Sequence, residues 1–250
     1  MRKSKPAALC LHLQDVRAWL FPNAFGRETY RDTNSQFQRE PKDFGTLKRL
    51  DEFTNLAYFI PRVDCEDSLN FLQLLPYVVL MTSDLRIVGY NRASKGNGEA
   101  RLAGNFSIGF GGHVEILDTS HTFGTDITDW LDAAITRELD EEIYLKGTRG
   151  VSQCTLPPAV FPCEFQGIIC SDDSPVDSVH LGLVYIVRLH TEDIDNLVAM
   201  TNEPDQIINP RLLTLEQARA EANPESWTAK ILNSNLLGGG DSRLYSENLY

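Results

Sequence analysis

From about residue 56 onward the chain alternates between short apolar runs and turn-forming residues. "LPYVVLMT" (75–82) and "SDLRIVGYNR" (83–92) read as two β-rich runs joined by a turn at Ser83-Asp84, hence a hairpin. "AGNFSIGFGGHV" (103–114) predicts a third strand, loosened by its glycines. After the polar segment "DTSHTFGTDIT", apolar residues at Leu131, Ile135, Leu139 and Ile143 recur at helical spacing and predict a helix over about residues 129–145. "FQGIIC" and "HLGLVYIVRL" are β-branched and apolar enough to be buried strands. "LLTLEQARAEANP" places Thr214 three residues before Gln217, a capping-box spacing, and closes before Pro224, so a second helix is expected there. "ESWTAKILNSNLL" predicts a third. Strands then a helix, strands then helices, is the order of an α/β sandwich with a mixed β-sheet.

Residues 1–55 show weak periodicity with Pro and Gly punctuation, and read as an N-terminal extension of loop and short elements, a lid or a dimer contact. The main domain is expected over 56–232. The tail, 233–250, lacks a core-forming pattern, and its last residues resemble the start of a protease-cleavage linker.

Composition narrows the function classes. With 250 residues, 42% hydrophobic and 23% charged, the chain has the proportions of a soluble globular protein with one full core. No apolar run is long enough to span a membrane, and the start, "MRKSKPAALCLHLQD", has too short an apolar stretch for a secretory signal. Five cysteines with no C-x-x-C pair argue against a disulfide framework and a cysteine zinc site, and for a reducing, cytoplasmic setting. A formal charge of −12 argues against nucleic-acid or anionic-membrane partners. It also requires any phosphate-bearing substrate to meet local positive charge.

The segment "AAITRELDEEIYL" (133–145) crowds Glu138, Glu141 and Glu142 onto one helical face, where i, i+3 and i+4 positions meet. Their mutual repulsion opposes folding unless a cation sits among them. A solvated acidic face is the plain alternative. Against it stands the strand ending in Gly111-Gly112, whose glycines let a backbone carbonyl approach the helix. Three carboxylates and a carbonyl make an all-oxygen site suited to Mg²⁺, or to Mn²⁺.

These residues resemble the box of the Nudix hydrolases. "RELDEE" (Arg137 to Glu142) matches its central hexad, "GGHVE" (Gly111 to Glu115) its opening and Leu145 its closing aliphatic. The chain departs from the pattern by about eleven extra residues around "TSHTFGTD", by an aspartate for the box glutamate and by Tyr144 for the penultimate glycine. The resemblance, over roughly 56–232, is to a bacterial and phage subgroup of that family. It implies Mg²⁺-dependent hydrolysis of a pyrophosphate bond in a nucleoside diphosphate linked to another moiety. By the same resemblance Glu138, Glu141, Glu142 and the Gly111 carbonyl hold metal, and Arg137 orients a ligating carboxylate. Glu141 is the expected general base, with Glu164 and Glu203 as loop alternatives that the sequence does not separate.

Arg92, Lys95 and Arg101 lie between the hairpin and the glycine-rich strand and are candidates to meet the phosphate chain; Glu115 is a further candidate at the metal or substrate. Ordinary solubility charge is the plain alternative for the three cations. His180 reads as a satisfied structural histidine, and Trp227 and Phe161 as packing residues before nucleobase stackers. A Nudix-fold module that binds a nucleotide without cleaving it is the second reading. An isopentenyl-diphosphate isomerase ranks last, for want of a matching cysteine motif.

Overall fold

The computed structural model describes residues 6–20, 51–66, 68–93, 102–120, 126–147, 153–154, 162–171, 173–189, 197–234 and 236–237. In chain order its elements are β1 (Ala7–His12), α1 (Leu13–Leu20), β2 (Ala57–Pro61), α2 (Arg62–Cys65), β3 (Phe71–Thr82), β4 (Ile87–Arg92), β5 (Phe106–Ser107), β6 (Gly109–Phe110), α3 (Ile116–Ser120), α4 (Ile127–Glu142), β7 (Ile143–Gly147), β8 (Gln153–Cys154), β9 (Cys163–Ile169), β10 (His180–Leu189), β11 (Leu197–Thr201), β12 (Ile207–Leu213), α5 (Leu215–Arg219) and α6 (Ser226–Asn233). The class is α/β with a mixed sheet and few helices, as the sequence pattern predicts. Two units emerge: Met1–Tyr77, Gly111–Ile135 and Gly167–Val184 form the first, and Val78–Phe110, Thr136–Gln166 and Tyr185–Tyr250 the second.

In the first unit β1 runs antiparallel to both β2 (Leu11 opposite Ala57) and β3 (His12 opposite Phe71). Ala8, Leu9, Cys10 and Leu11 are all fully buried, so both faces of β1 are covered. A strand buried on two faces has no apolar–polar alternation, which is why the weak periodicity of residues 1–55 concealed it. The next turn of chain into α4 is tied to this unit as well: the Ile127 amide donates to Thr54 Oγ1 at 3.1 Å.

In the second unit the Ser83-Asp84 hairpin forms as expected. Thr82 N donates to the Arg86 carbonyl at 2.8 Å, and Leu85 takes a left-handed φ of 66° to close the turn. β4 then pairs antiparallel with β12, Ile87 opposite Leu213. Thr214 and Gln217 build the predicted capping box at the start of α5, where the Gln217 amide donates to Thr214 Oγ1 at 3.1 Å.

Two expectations are corrected. The single strand over 103–114 is instead β5 and β6, interrupted at Ile108, whose amide donates to Thr228 Oγ1 at 3.3 Å rather than continuing a ladder. The helix over 129–145 runs Ile127–Glu142. Asp126 caps its start, accepting at 3.0 Å from both the Thr128 and Asp129 amides. Its end comes early because Ile143, Tyr144 and Leu145 enter β7 and pair with Thr201, Met200 and Ala199 of β11. The apolar stripe Leu131, Ile135, Leu139 and Ile143 is buried throughout.

Candidate active site

The second unit carries the acidic face. Arg137 Nη1 donates to Glu138 Oε1 at 2.5 Å and lies 3.6 Å from Glu141 Oε2. One guanidinium nitrogen therefore neighbours both carboxylates and offsets part of their repulsion. The three acidic side chains have different surroundings: the Glu138 side chain is 15% exposed, that of Glu141 55%, and Glu142 as a residue 7%.

The C-terminus of α4 is closed by the segment after β11. Helix ends leave carbonyls without intrahelical partners, and Thr201 Oγ1 donates to the Glu142 carbonyl at 2.7 Å while Asn202 Nδ2 donates to the Asp140 carbonyl at 3.0 Å. These bonds carry Glu203 to the acidic face. Burial raises the Glu203 pKa above the ordinary carboxylate value, the Glu141 charge raises it further, and the Gln206 hydrogen bond at 2.9 Å partly opposes both. Glu164 has a different setting: its Oε2 accepts from Arg188 Nε at 3.2 Å. The structure thus separates two glutamates that the sequence left equal as loop candidates: Glu203 lies on a loop, whereas Glu164 is in strand β9.

Arg92 also belongs to the second unit. Its Nε donates to Glu225 Oε1 at 2.7 Å, and the Glu225 side chain is only 7% exposed. Its guanidinium lies 5.4 Å from the Tyr90 ring centroid. Burial opposes its charge, but Tyr90, Glu225 and Glu142 together hold its pKa well above the ordinary value. Arg92 is thus a cation bound into the fold and felt by Glu142. Lys95, Arg101 and Phe161 lie outside the described residues.

The first unit holds the other candidates. Gly111 has a φ of 133°, and a Cβ there would sit 2.3 Å from the Pro76 carbonyl oxygen, so only glycine fits. Two residues on, His113 Nε2 lies 3.1 Å from His180 Nε2. Glu115 is half-buried; its amide donates to Asp118 Oδ2 at 2.7 Å, and it bridges to Ala8. His180 is 7% exposed, and its Nδ1 donates to the Val176 carbonyl at 2.6 Å. It is satisfied, as the sequence suggested, yet its other nitrogen faces a second histidine sixty-seven positions away in the chain, which no local pattern signals. Trp227, at 7% exposure, is a packing residue.

Glu138, Glu141, Glu142 and Glu203 supply only oxygen, the donor type a hard dication takes, and a cation among them would relieve the Glu141 repulsion that adds to the effect of burial on Glu203. In that sense the residues fit Mg²⁺ or Mn²⁺. Among the described residues no three His, Cys, Asp or Glu side chains already converge as ligands.

This helix, with its arginine-bridged glutamates, sits in a fold of the Nudix class. The crystal structure of Tm1382, given as a candidate Nudix hydrolase, superposes with a TM-score of 0.54 at 21% identity, over 90% of this chain and 97% of its own. A MutT Nudix hydrolase from Burkholderia pseudomallei aligns at a TM-score of 0.38 and 17% identity over 63% of this chain and 95% of its own, too distant to add to the fold argument. In sequence the chain is 31% identical to Protein YmaB of Bacillus subtilis (strain 168) over 128 residues, 51% of this chain. It spans about half, 54%, of the length of that curated relative. No family model matches the chain.

Proposed function

We propose that this protein is a Nudix-type pyrophosphohydrolase that cleaves a nucleoside diphosphate linked to another moiety, with Mg²⁺ or Mn²⁺ as cofactor. The observation that carries the proposal is the acidic face of α4, with Glu203 held beside Glu141, in a Nudix fold. Glu138, Glu141 and Glu142 would hold the cation, and the Gly111 carbonyl is the further oxygen donor that the motif implies. A dication bound there would neutralise the pyrophosphate, polarise phosphorus and acidify a bound water.

The chain's own residues divide the remaining work. Arg137 keeps Glu138 and Glu141 oriented. Glu141 takes the proton of the attacking water; Glu203, whose raised proton affinity suits the same task, is the alternative. Water adds to one phosphorus, the bridging P–O bond breaks, and two phosphate monoesters and a proton leave. Arg92 contributes positive field near Glu142, and Lys95, Arg101 and Glu115 are the further substrate contacts that the sequence proposes. A cytoplasmic location belongs to the same reading, with residues 1–55 serving as a lid or as a homodimer contact.

The test is a Mg²⁺- and Mn²⁺-supplemented screen of nucleoside diphosphate derivatives, with phosphate or nucleotide release as the readout. Turnover abolished by chelation and by Glu141→Gln or Glu203→Gln supports the hydrolase. Tight nucleotide binding with no hydrolysis in any metal would instead favour the binding module, which the Tyr144 departure from the motif motivates.

A further inference from the structure

The first unit contains a pair of side chains that the hydrolase reading does not use. His113, just past the glycine turn, and His180, the first residue of β10, face each other through their Nε2 atoms at 3.1 Å, with ring planes 62° apart. His180 is anchored from behind: its Nδ1 donates to the Val176 carbonyl at 2.6 Å, the carbonyl being the last residue before a short 3-10 turn, Asp177–Val179. That bond fixes the tautomer, so the Nε2 lone pair of His180 is the atom presented to His113.

We infer that His113 and His180 form a two-nitrogen site for a borderline transition-metal dication of the zinc type. Two features of the pair carry this. First, imidazole nitrogens bind Zn²⁺ at about 2.0–2.1 Å, so two of them on one tetrahedral ion are about 3.3 Å apart; the observed separation needs only a small adjustment. Second, a ligating histidine typically donates its other ring N–H to a carbonyl or carboxylate, which orients the ring and raises its basicity. His180 already has that partner.

Coordination releases no proton overall. The ion takes the place of the one hydrogen shared between the two Nε2 atoms, and His113 carries its hydrogen on Nδ1 instead. Two nitrogens leave the remaining positions to water or to an exogenous ligand, which makes the site an open one. Its donors are softer than the carboxylates of α4, so the two sites select different metals. Occupancy would also brace the chain just after Gly111, whose φ of 133° no other residue adopts comfortably. The inference stands independently of the hydrolase reading.

The experiment uses the full chain without Mg²⁺, titrated with Zn²⁺ and followed by calorimetry and by imidazole ¹⁵N resonances. The expected result is Zn²⁺ binding that shifts the Nε2 resonances of His113 and His180 and leaves their Nδ1 atoms protonated. His113→Ala, at a half-exposed position, should weaken that binding by on the order of 100-fold, since losing even a partner behind a ligand weakens metal binding on the order of 10–100-fold. Glu138→Gln should leave it unchanged. Zn²⁺ binding that is insensitive to His113→Ala, or that leaves both Nε2 resonances unmoved in the wild-type protein, would overturn the inference.

Discussion

Thr201 Oγ1 donates to the carbonyl oxygen of Glu142 at 2.7 Å, so the segment after β11 is pinned to the last residue of the acidic helix. Two positions later Glu203 feels the charge of Glu141. A loop glutamate is thereby brought toward the carboxylates by a bond that fills an open helix end.

If that placement serves proton transfer, Glu203→Gln should lower kcat by about 10²–10⁴-fold, the usual range for a general base. Glu164→Gln should leave kcat within about a few-fold of wild type, because Glu164 is engaged by Arg188. Steady-state kinetics on the substrate found by the screen distinguishes the two. Equal losses in both variants would remove Glu203 from its special position.

Arg137→Lys should weaken Mg²⁺ or Mn²⁺ activation by about 10–100-fold, the range for residues that orient metal ligands. A lysine keeps the charge but not the planar fork that reaches Glu138 and approaches Glu141 from one nitrogen. Activity measured against metal concentration reads the effect directly.

Arg92→Ala leaves the Glu225 carboxylate buried without its partner. The expected loss of stability is about 3 kcal/mol, at the lower end for breaking one half of a buried pair because the Arg92 side chain keeps 28% exposure. Urea unfolding measures it. A variant of full stability with only a raised KM would make Arg92 a substrate contact and nothing more.

Gly111→Ala forces a Cβ into the Pro76 carbonyl at a φ of 133°. The strained backbone alone costs about 1–3 kcal/mol, and the clash adds to it. Thermal unfolding should show a clear fall in Tm, whereas Gly104→Ala, where a Cβ meets open space at a φ of 81°, should show the strain without the clash.

Cys10 and Cys65 give a pH signature. Burial pushes the Cys10 thiol far above its ordinary value of 9.0, and the neighbouring Cys65 raises it further. The folded state therefore holds the proton more tightly than the unfolded chain. Stability from this group is fully present below about pH 9 and is lost as pH rises past the unfolded thiol's range. Tm should decline above that pH, and less steeply in Cys10→Ala. At pH 8 a thiol reagent should modify the half-buried Cys163 and Cys170 well before Cys10 or Cys65.

Local patterning made much of the fold legible. The Ser83-Asp84 hairpin, the apolar strand over 180–189, the Thr214–Gln217 capping box and the acidic face of α4 all rest on interactions within a few residues, which spacing alone encodes. β1 escaped because burial on both faces removes the alternation that marks a strand. The end of α4 was misplaced by three residues because Ile143 to Leu145 continue an apolar pattern yet pair with β11, more than fifty positions away.

The sequence by itself determined that glutamates would share a helical face and that a glycine turn would precede them, since both follow from backbone geometry and residue type. Only the tertiary structure decided which loop glutamate joins that face, that Arg92 is held by Glu225, and that His113 meets His180. Each of those pairs joins positions sixty or more residues apart, and contacts at such separations are fixed by how the strands pair, which no local periodicity records.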